Sequence, residues 1–263
     1  MTTSADPHAL LSIASEAAHA AGILLLDRFG GPVSGLSAKS TRTDLVSDAD
    51  RDAEAIILGR IRSARPDDLV IAEESGTSAG QHDGVRWHVD PLDGTVNYLW
   101  NIPHWAVSIH AENTDGDLAA VVYDPCRNEL FTAVPGECHL NGARLELEPA
   151  DELAMALLAT GFAYNPVLRA RQAEIAAGLI GVVRDVRRNG SAALDLAWVA
   201  AGRLDLYYER GLAIWDSAAG AMLVREAHGV VAPLGETAQL PDGLLAGRPG
   251  ISDELLTLLR RSE

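Results

Sequence analysis

Trp87-His88-Val89-Asp90-Pro91-Leu92-Asp93-Gly94-Thr95-Val96-Asn97-Tyr98 reads as a hydrophobic strand that runs into two carboxylates and stops at a glycine-threonine turn. An apolar run of this length suits a buried strand. Pro91 and Gly94 act against its continuation, so Asp90 and Asp93 are expected to leave the sheet at its end and to face one site. Two carboxylates held that close repel and raise each other's pKa unless a cation lies between them, and oxygen-only ligands suit magnesium, calcium or manganese. The plainer alternative is a turn that only caps the helix after it.

Outward from this stretch, more acids fall where regular elements begin or end. Upstream, Leu69-Val70-Ile71-Ala72 stops at Glu73-Glu74-Ser75-Gly76. If this strand neighbours the first, Glu73 and Asp90 lie at like ends of the sheet. Downstream, Ile214-Trp215-Asp216-Ser217-Ala218-Ala219-Gly220 starts the last long apolar helix, with Asp216 at its buried start. Each acid has a plain explanation as a cap or a solvated loop residue. Together, Glu73, Asp90, Asp93 and Asp216 all avoid solvated faces, and that pattern favours a metal site.

The rest of the chain supplies an α+β frame. Asp6-Pro7 caps an amphipathic helix that carries Leu10, Ile13, Ala14, Ala17, Ala21 and Leu24 at helical spacing and ends at Gly30-Gly31. Asp48 is expected to cap a second helix, with Asp44 in the approach and Asp50 in the first turn. Residues 106–111 and 118–123 flank the hairpin signal Asp115-Gly116, and residues 129–134 form a further strand before Asn141-Gly142. Helix returns over residues 166–180, and strands are expected over 182–186 and 204–208, the latter ending at Glu209-Arg210. Gly190-Ser191-Ala192-Ala193-Leu194 opens a helix whose exposed amides suit an anion, or whose small residues permit close packing.

Composition narrows the function classes. The chain has 263 residues, 48% of them hydrophobic, which is ample for one large domain or two tightly packed halves. Its net charge is −16 and no Lys/Arg-rich run occurs, which argues against a nucleic-acid groove or a membrane surface. An anionic substrate would need metal ions to reverse the local sign. Cys126 and Cys138, across a hairpin from each other, read as free thiols of a cytoplasmic protein. No apolar stretch is expected to reach the roughly 20 residues that span a bilayer.

Glu73-Glu74-Ser75, Asp90 through Asn97, and Trp215 through Gly220 together resemble the three signatures of the inositol monophosphatase family. The likeness extends from Lys39 and the Asp44-to-Asp50 segment through Gly190-Ser191-Ala192-Ala193 to Glu226-Ala227. It implies a layered αβαβα sandwich spanning residues 1–263, with pseudo-halves of about 1–145 and 146–263, assembled as a homodimer. It also implies a Mg2+-dependent phosphatase that holds two or three ions and cleaves a small phosphorylated alcohol by direct attack of an activated water. On that likeness Glu73, Asp90, the Leu92 carbonyl, Asp93 and Asp216 hold the metals, while Thr95, Asp50 and Glu73 serve the water. Two divalent ions roughly 3.5–4 Å apart need no protein nucleophile. Gly94, Thr95, Asp93, Asp216 and Lys39 are expected at the phosphate, and Ser191, Ala192 and Glu209 at the sugar. The expected substrate is myo-inositol 1-phosphate. The alternatives are histidinol phosphate, a 3′-phosphonucleotide, fructose bisphosphate, or a regulatory protein with a vestigial site.

Two places depart from the family pattern. Pro135-Gly136-Glu137-Cys138-His139-Leu140 replaces the usual Gly-x-Gly-Ala before Asn141-Gly142. His228 stands where the family usually has glycine, and a histidine at a helix end reads as a dipole partner rather than a ligand.

Overall fold

A computed structural model describes residues 6–39, 45–78, 80 and 84–262; Asp44 lies outside the described residues. Helix α1 (Pro7–Arg28) starts where Asp6 accepts from the His8 amide at 3.1 Å and Pro7 takes the first turn. It ends before Gly30, which turns the chain away at φ +77°. Contrary to the sequence expectation, α1 is by length and composition apolar enough to cross a bilayer. Its Leu10, Ala14, Ala17, Ala18, Ala21 and Leu25 are buried in the protein core. The cap of α2 (Asp48–Ala64) is Ser47 rather than Asp48. Ser47 accepts from the Ala49 amide, and its own amide donates to Asp50 at 2.9 Å, forming a capping box that fixes Asp50 at the third helical position.

Strands β1 (Ser37–Ala38) and β2 (Leu45–Val46) make a small ribbon. The large sheet contains β3 (Leu69–Ala72), β4 (Gly76–Thr77), β5 (Arg86–Asp93), β6 (Ala106–Asn113), β7 (Gly116–Asp124), β8 (Glu129–Val134), β9 (Glu137–Leu140) and β10 (Ala143–Arg144). Its order is β10-β9-β8-β7-β6-β5-β3-β4, and β3 runs parallel to β5. The five-residue helix α3 (Thr95–Leu99) follows β5. The second sheet, in the order β12-β11-β13-β15-β14, holds β11 (Leu157–Thr160), β12 (Asp185–Arg187), β13 (Leu206–Arg210), β14 (Val230–Leu234) and β15 (Gly243–Gly247).

Three apolar layers hold these sheets between helices. The α1/α2 layer packs on Trp87, Val89, Ile109 and Val121 of the large sheet. Helices α5 (Ala192–Ala200) and α6 (Ile214–Glu226) fill the space between the sheets, against Val122 and Phe131 on one side and Ala159, Tyr207 and Ala246 on the other. Helices α4 (Pro166–Leu179) and α7 (Ile251–Ser262) cover the outer face of the second sheet over Leu158, Leu206 and Leu245. The result is the expected α+β sandwich with αβαβα layering.

Several local expectations are corrected. Strand β5 passes through Pro91 and continues to Asp93, with a register shift against β6 between Asp90 and Asp93. β3 pairs only as far as Val89, so Pro91 lies where one side of β5 has no strand neighbour and a missing N–H is tolerated. Val182 and Val183 close a turn on the Leu179 carbonyl instead of starting a strand, and β12 begins at Asp185. β13 keeps Glu209 and Arg210 within its pairing to β15. Residues 137–140 are a strand, and the Gly136 amide donates to Glu226 at 2.6 Å, docking this hairpin on α6. Cys126 packs on the α1/α2 core and Cys138 lies in the core between the sheets; both are free thiols.

Candidate active site

β3 and β5 end side by side because they are parallel, with Ala72 opposite Val89 and the Glu73 amide donating to the Val89 carbonyl at 3.1 Å. That register brings Glu73 beside Asp90. The Leu92 amide donates to Asp90 Oδ1 at 2.9 Å, which turns the backbone so that Asp93 follows on the same side. From the layer between the sheets, Asp216 enters at the third position of α6, accepting from the Ala213 amide at 2.8 Å. Its capping role and its place in the site coincide. Ser191 caps α5, and its hydroxyl donates to Asp93 Oδ2 at 2.6 Å while the Ala193 amide donates to the same oxygen at 2.7 Å. These two donors hold Oδ2 and fix the orientation of the carboxylate.

These groups surround a cavity of about 150 Å³ lined by Glu73, Asp90, Leu92, Asp93, Gly94, Thr95, Ser191, Ala192, Glu209 and Asp216, among others. Burial is the main reason that Asp90 is hard to ionise, and Glu73, Asp93 and Asp216 add like charge. Burial likewise raises Asp216, with Asp93 and Glu73 contributing. Asp93 is pushed up to about 6 by burial against the pull of Ser191 and Ala193. A set of oxygen donors in which Asp90, Asp93 and Asp216 resist ionisation fits a hard divalent cation, and magnesium matches that chemistry.

Thr95 sits at the start of α3, its hydroxyl 3.0 Å from Asp50 Oδ1 and 3.1 Å from the Leu92 carbonyl. A hydroxyl has one proton, so donation to Asp50 leaves the Leu92 oxygen free for another partner. Asp50 is fully buried and is raised above the usual carboxylate range by burial, against hydrogen bonds from Ser47 and Thr95. Gly94 takes φ +94°, and a Cβ there would stand 3.2 Å from the Gly190 carbonyl, so the turn needs glycine. α3 has five residues, so the turn offers amides rather than a full helix dipole.

Glu209 faces the cavity from β13, with Tyr207 donating to it at 2.5 Å and Gly161 packed so closely that any Cβ would overlap the carboxylate. Burial pushes Glu209 up to about 7, while Tyr207 and Arg188 pull it down. Lys39 bonds Glu73 at 2.7 Å and Glu74 at 2.6 Å and does not line the cavity. Its pKa is raised because the two glutamates outweigh the opposing effect of burial. Sequence reasoning missed Arg188 and Asp195, which also line the cavity; Arg188 is the one cation among the described lining residues. Asp195, one turn into α5 after Ser191, accepts from Asn189 at 2.7 Å, and Asn97 donates to the Asn189 carbonyl at 2.8 Å, which ties α3 to the loop before α5. The i, i+4 step from Ser191 to Asp195 is the sequence signal for that placement.

The chain is similar to several known proteins along nearly its whole length. A model of the inositol monophosphatase family matches residues 6–262. Nus factor SuhB of Escherichia coli strain K12 is 42% identical over 257 residues, covering 96% of each chain. Inositol-1-monophosphatase SuhB of Mycobacterium tuberculosis strain H37Rv is 43% identical over 248 residues, 90% of this chain and 85% of the relative. The solved structure of extragenic suppressor protein suhB from Bartonella henselae superposes with a TM-score of 0.88 at 37% identity, over 96% of this chain and 99% of that one. Sequence, layered fold and family match run together along nearly the whole described length, and the chain belongs to the inositol monophosphatase family.

Proposed function

We propose that this chain is a magnesium-dependent phosphomonoesterase that hydrolyses myo-inositol 1-phosphate to inositol and phosphate. The observation that carries the reading is the convergence of Glu73, Asp90, Asp93 and Asp216 with the Thr95–Asp50 pair on one cavity that Glu209 and Ser191 also line. Glu73, Asp90, the Leu92 carbonyl, Asp93 and Asp216 would hold the ions. When bound, such ions supply Lewis acidity toward the phosphate and lower the pKa of water.

The chain's own residues do the rest. Thr95, donating to Asp50, keeps lone pairs with which to orient a water, and Asp50's raised pKa suits it to take up a proton passed through that hydroxyl. The Gly94 and Thr95 amides receive the phosphate. Glu209 accepts hydrogen bonds from adjacent hydroxyls of the alcohol. Arg188 beside Glu209 favours a neutral or anionic alcohol over a cationic one, which sets histidinol phosphate below inositol phosphate. Two chains would pair in solution, covering exposed apolar residues such as Trp100 and Ile102.

Steady-state turnover of a panel comprising inositol 1-phosphate, a nucleoside phosphate, a sugar bisphosphate and an amino-alcohol phosphate, with and without Mg2+, tests the reading. Inositol 1-phosphate should have the highest kcat/KM and the amino-alcohol phosphate the lowest. No Mg2+-dependent turnover of any member would leave a binding role of the kind the E. coli relative's name denotes.

A further inference from the structure

His88 on β5 and His110 on β6 are register partners, and Glu112 follows two residues later on β6. All three point to the face opposite Trp87, Val89 and Ile109. The two rings stack at 5.7 Å between centroids, and the residues are only 4% and 2% exposed. One ligand atom from each of His88, His110 and Glu112 lies within 4.8 Å of the others. His88 Nε2 is 3.0 Å from Glu112 Oε1, and His110 Nε2 is 3.0 Å from Asp117 Oδ1. An ionised carboxylate can only accept, so without metal both rings carry their proton on Nε2 and their lone pair on Nδ1; His88 faces Glu112 through Nε2, and for the two to hold one ion that proton must move to Nδ1 or leave. Those two Nδ1 atoms are buried and have no hydrogen-bond partner among the described residues.

We propose that His88, His110 and Glu112 form a second metal site, which takes a borderline ion such as Zn2+ in preference to Mg2+. Imidazole nitrogen suits zinc, whereas magnesium selects oxygen. A carboxylate bonded to the far nitrogen of a metal-binding histidine fixes its tautomer and raises its basicity, and Asp117 stands in that position toward His110, itself held by Arg225 at 2.5 Å. Zinc ligands at bond lengths near 2.0–2.1 Å stand about 3.3 Å apart, so the cluster must tighten. Glu112 is the part that can move, since its side chain is 23% exposed. Its competing partner Arg86, at 3.1 Å, is 35% exposed and can turn to solvent. Neither histidine nor Glu112 lines the acidic cavity, so the site stands apart from the phosphatase reading.

Calorimetric titration with ZnCl2, run with enough Mg2+ to saturate the oxygen-only cavity, tests the proposal. The wild type should bind one Zn2+ per chain, and Asp93→Asn should bind it equally well. His88→Gln and His110→Gln should each abolish that binding. Asp117→Asn, which leaves all three ligands in place, should weaken it about 10–100-fold. Absence of Zn2+ binding to the wild type under these conditions would overturn the proposal. So would binding that Asp93→Asn removes and Asp117→Asn leaves unchanged.

Discussion

Thr95 has one proton and two acceptors within reach, Asp50 and the Leu92 carbonyl. A side chain that orients water without adding charge to the metal cage should matter to turnover more than to ion binding. Thr95→Ala should therefore lower kcat by about 10²–10⁴-fold, the usual contribution of a positioned acid–base group. The Mg2+ concentration for half-maximal activity should move far less, and equal losses in both would contradict the assigned role. Glu209 makes the complementary case. Glu209→Gln keeps an acceptor and removes the charge, so charge-assisted bonds to sugar hydroxyls fall to neutral strength, a loss of about 1–2 kcal/mol. The kcat/KM ratio of inositol 1-phosphate to a phosphate ester whose alcohol is too short to reach Glu209 should drop accordingly. An unchanged ratio would mean that Glu209 does not read the polyol.

The strand-end and helix-start acids were legible in the sequence because proline, glycine and capping residues mark element ends within a few positions of them. Their convergence was less so, since it depends on β3 and β5 being parallel neighbours and on α6 lying between the two sheets. Arg188 was hidden because an arginine on an irregular segment carries no periodic signal. Helix α7 was not anticipated, although Ile251, Leu255 and Leu259 are buried at helical spacing. Pro91 misled in the other direction, since its missing N–H ends a strand only where a neighbour on that side needs it, and β3 has already stopped there. His228 shows an element carrying a local conflict. It adopts φ +67° just past the end of α6, a left-handed position where a side chain is disfavoured, and it is exposed. His228→Gly should raise stability by about 0.5–1 kcal/mol, less than the full 1–2 kcal/mol left-handed penalty because glycine also loosens the unfolded chain. Denaturant midpoints would show the gain, and Mg2+-dependent turnover should stay the same.

At the scale of the whole molecule, folding gathers carboxylates from β5 and α6 into one place where Asp90, Asp93 and Asp216 are each harder to ionise. A carboxyl whose folded pKa lies above its unfolded value binds more protons folded than unfolded between the two, so stability falls as pH rises through that interval. For Asp93 the interval runs from 3.8 to about 6, with burial as the leading cause. Asp90 and Asp216 shift in the same direction. Asp48, Asp117 and Asp185 shift the opposite way and stabilise the fold as pH rises, so the total curve mixes both signs. Comparison with Asp93→Asn isolates the site, because asparagine keeps an oxygen for Ser191 and the Ala193 amide but cannot ionise. Without metal at pH 8, Asp93→Asn should match or exceed the wild type, and the difference should shrink toward pH 4. Mg2+ at about 100 times its Kd should then restore about 2.7 kcal/mol to the wild type. That corresponds to a rise in melting temperature of about 5–10 °C for a chain of this size. The variant should gain much less and lose nearly all turnover. A wild type that is more stable than Asp93→Asn in EDTA at pH 8, or a variant that gains as much from Mg2+, would show that the cluster is not the strained cation site its burial and like charges imply.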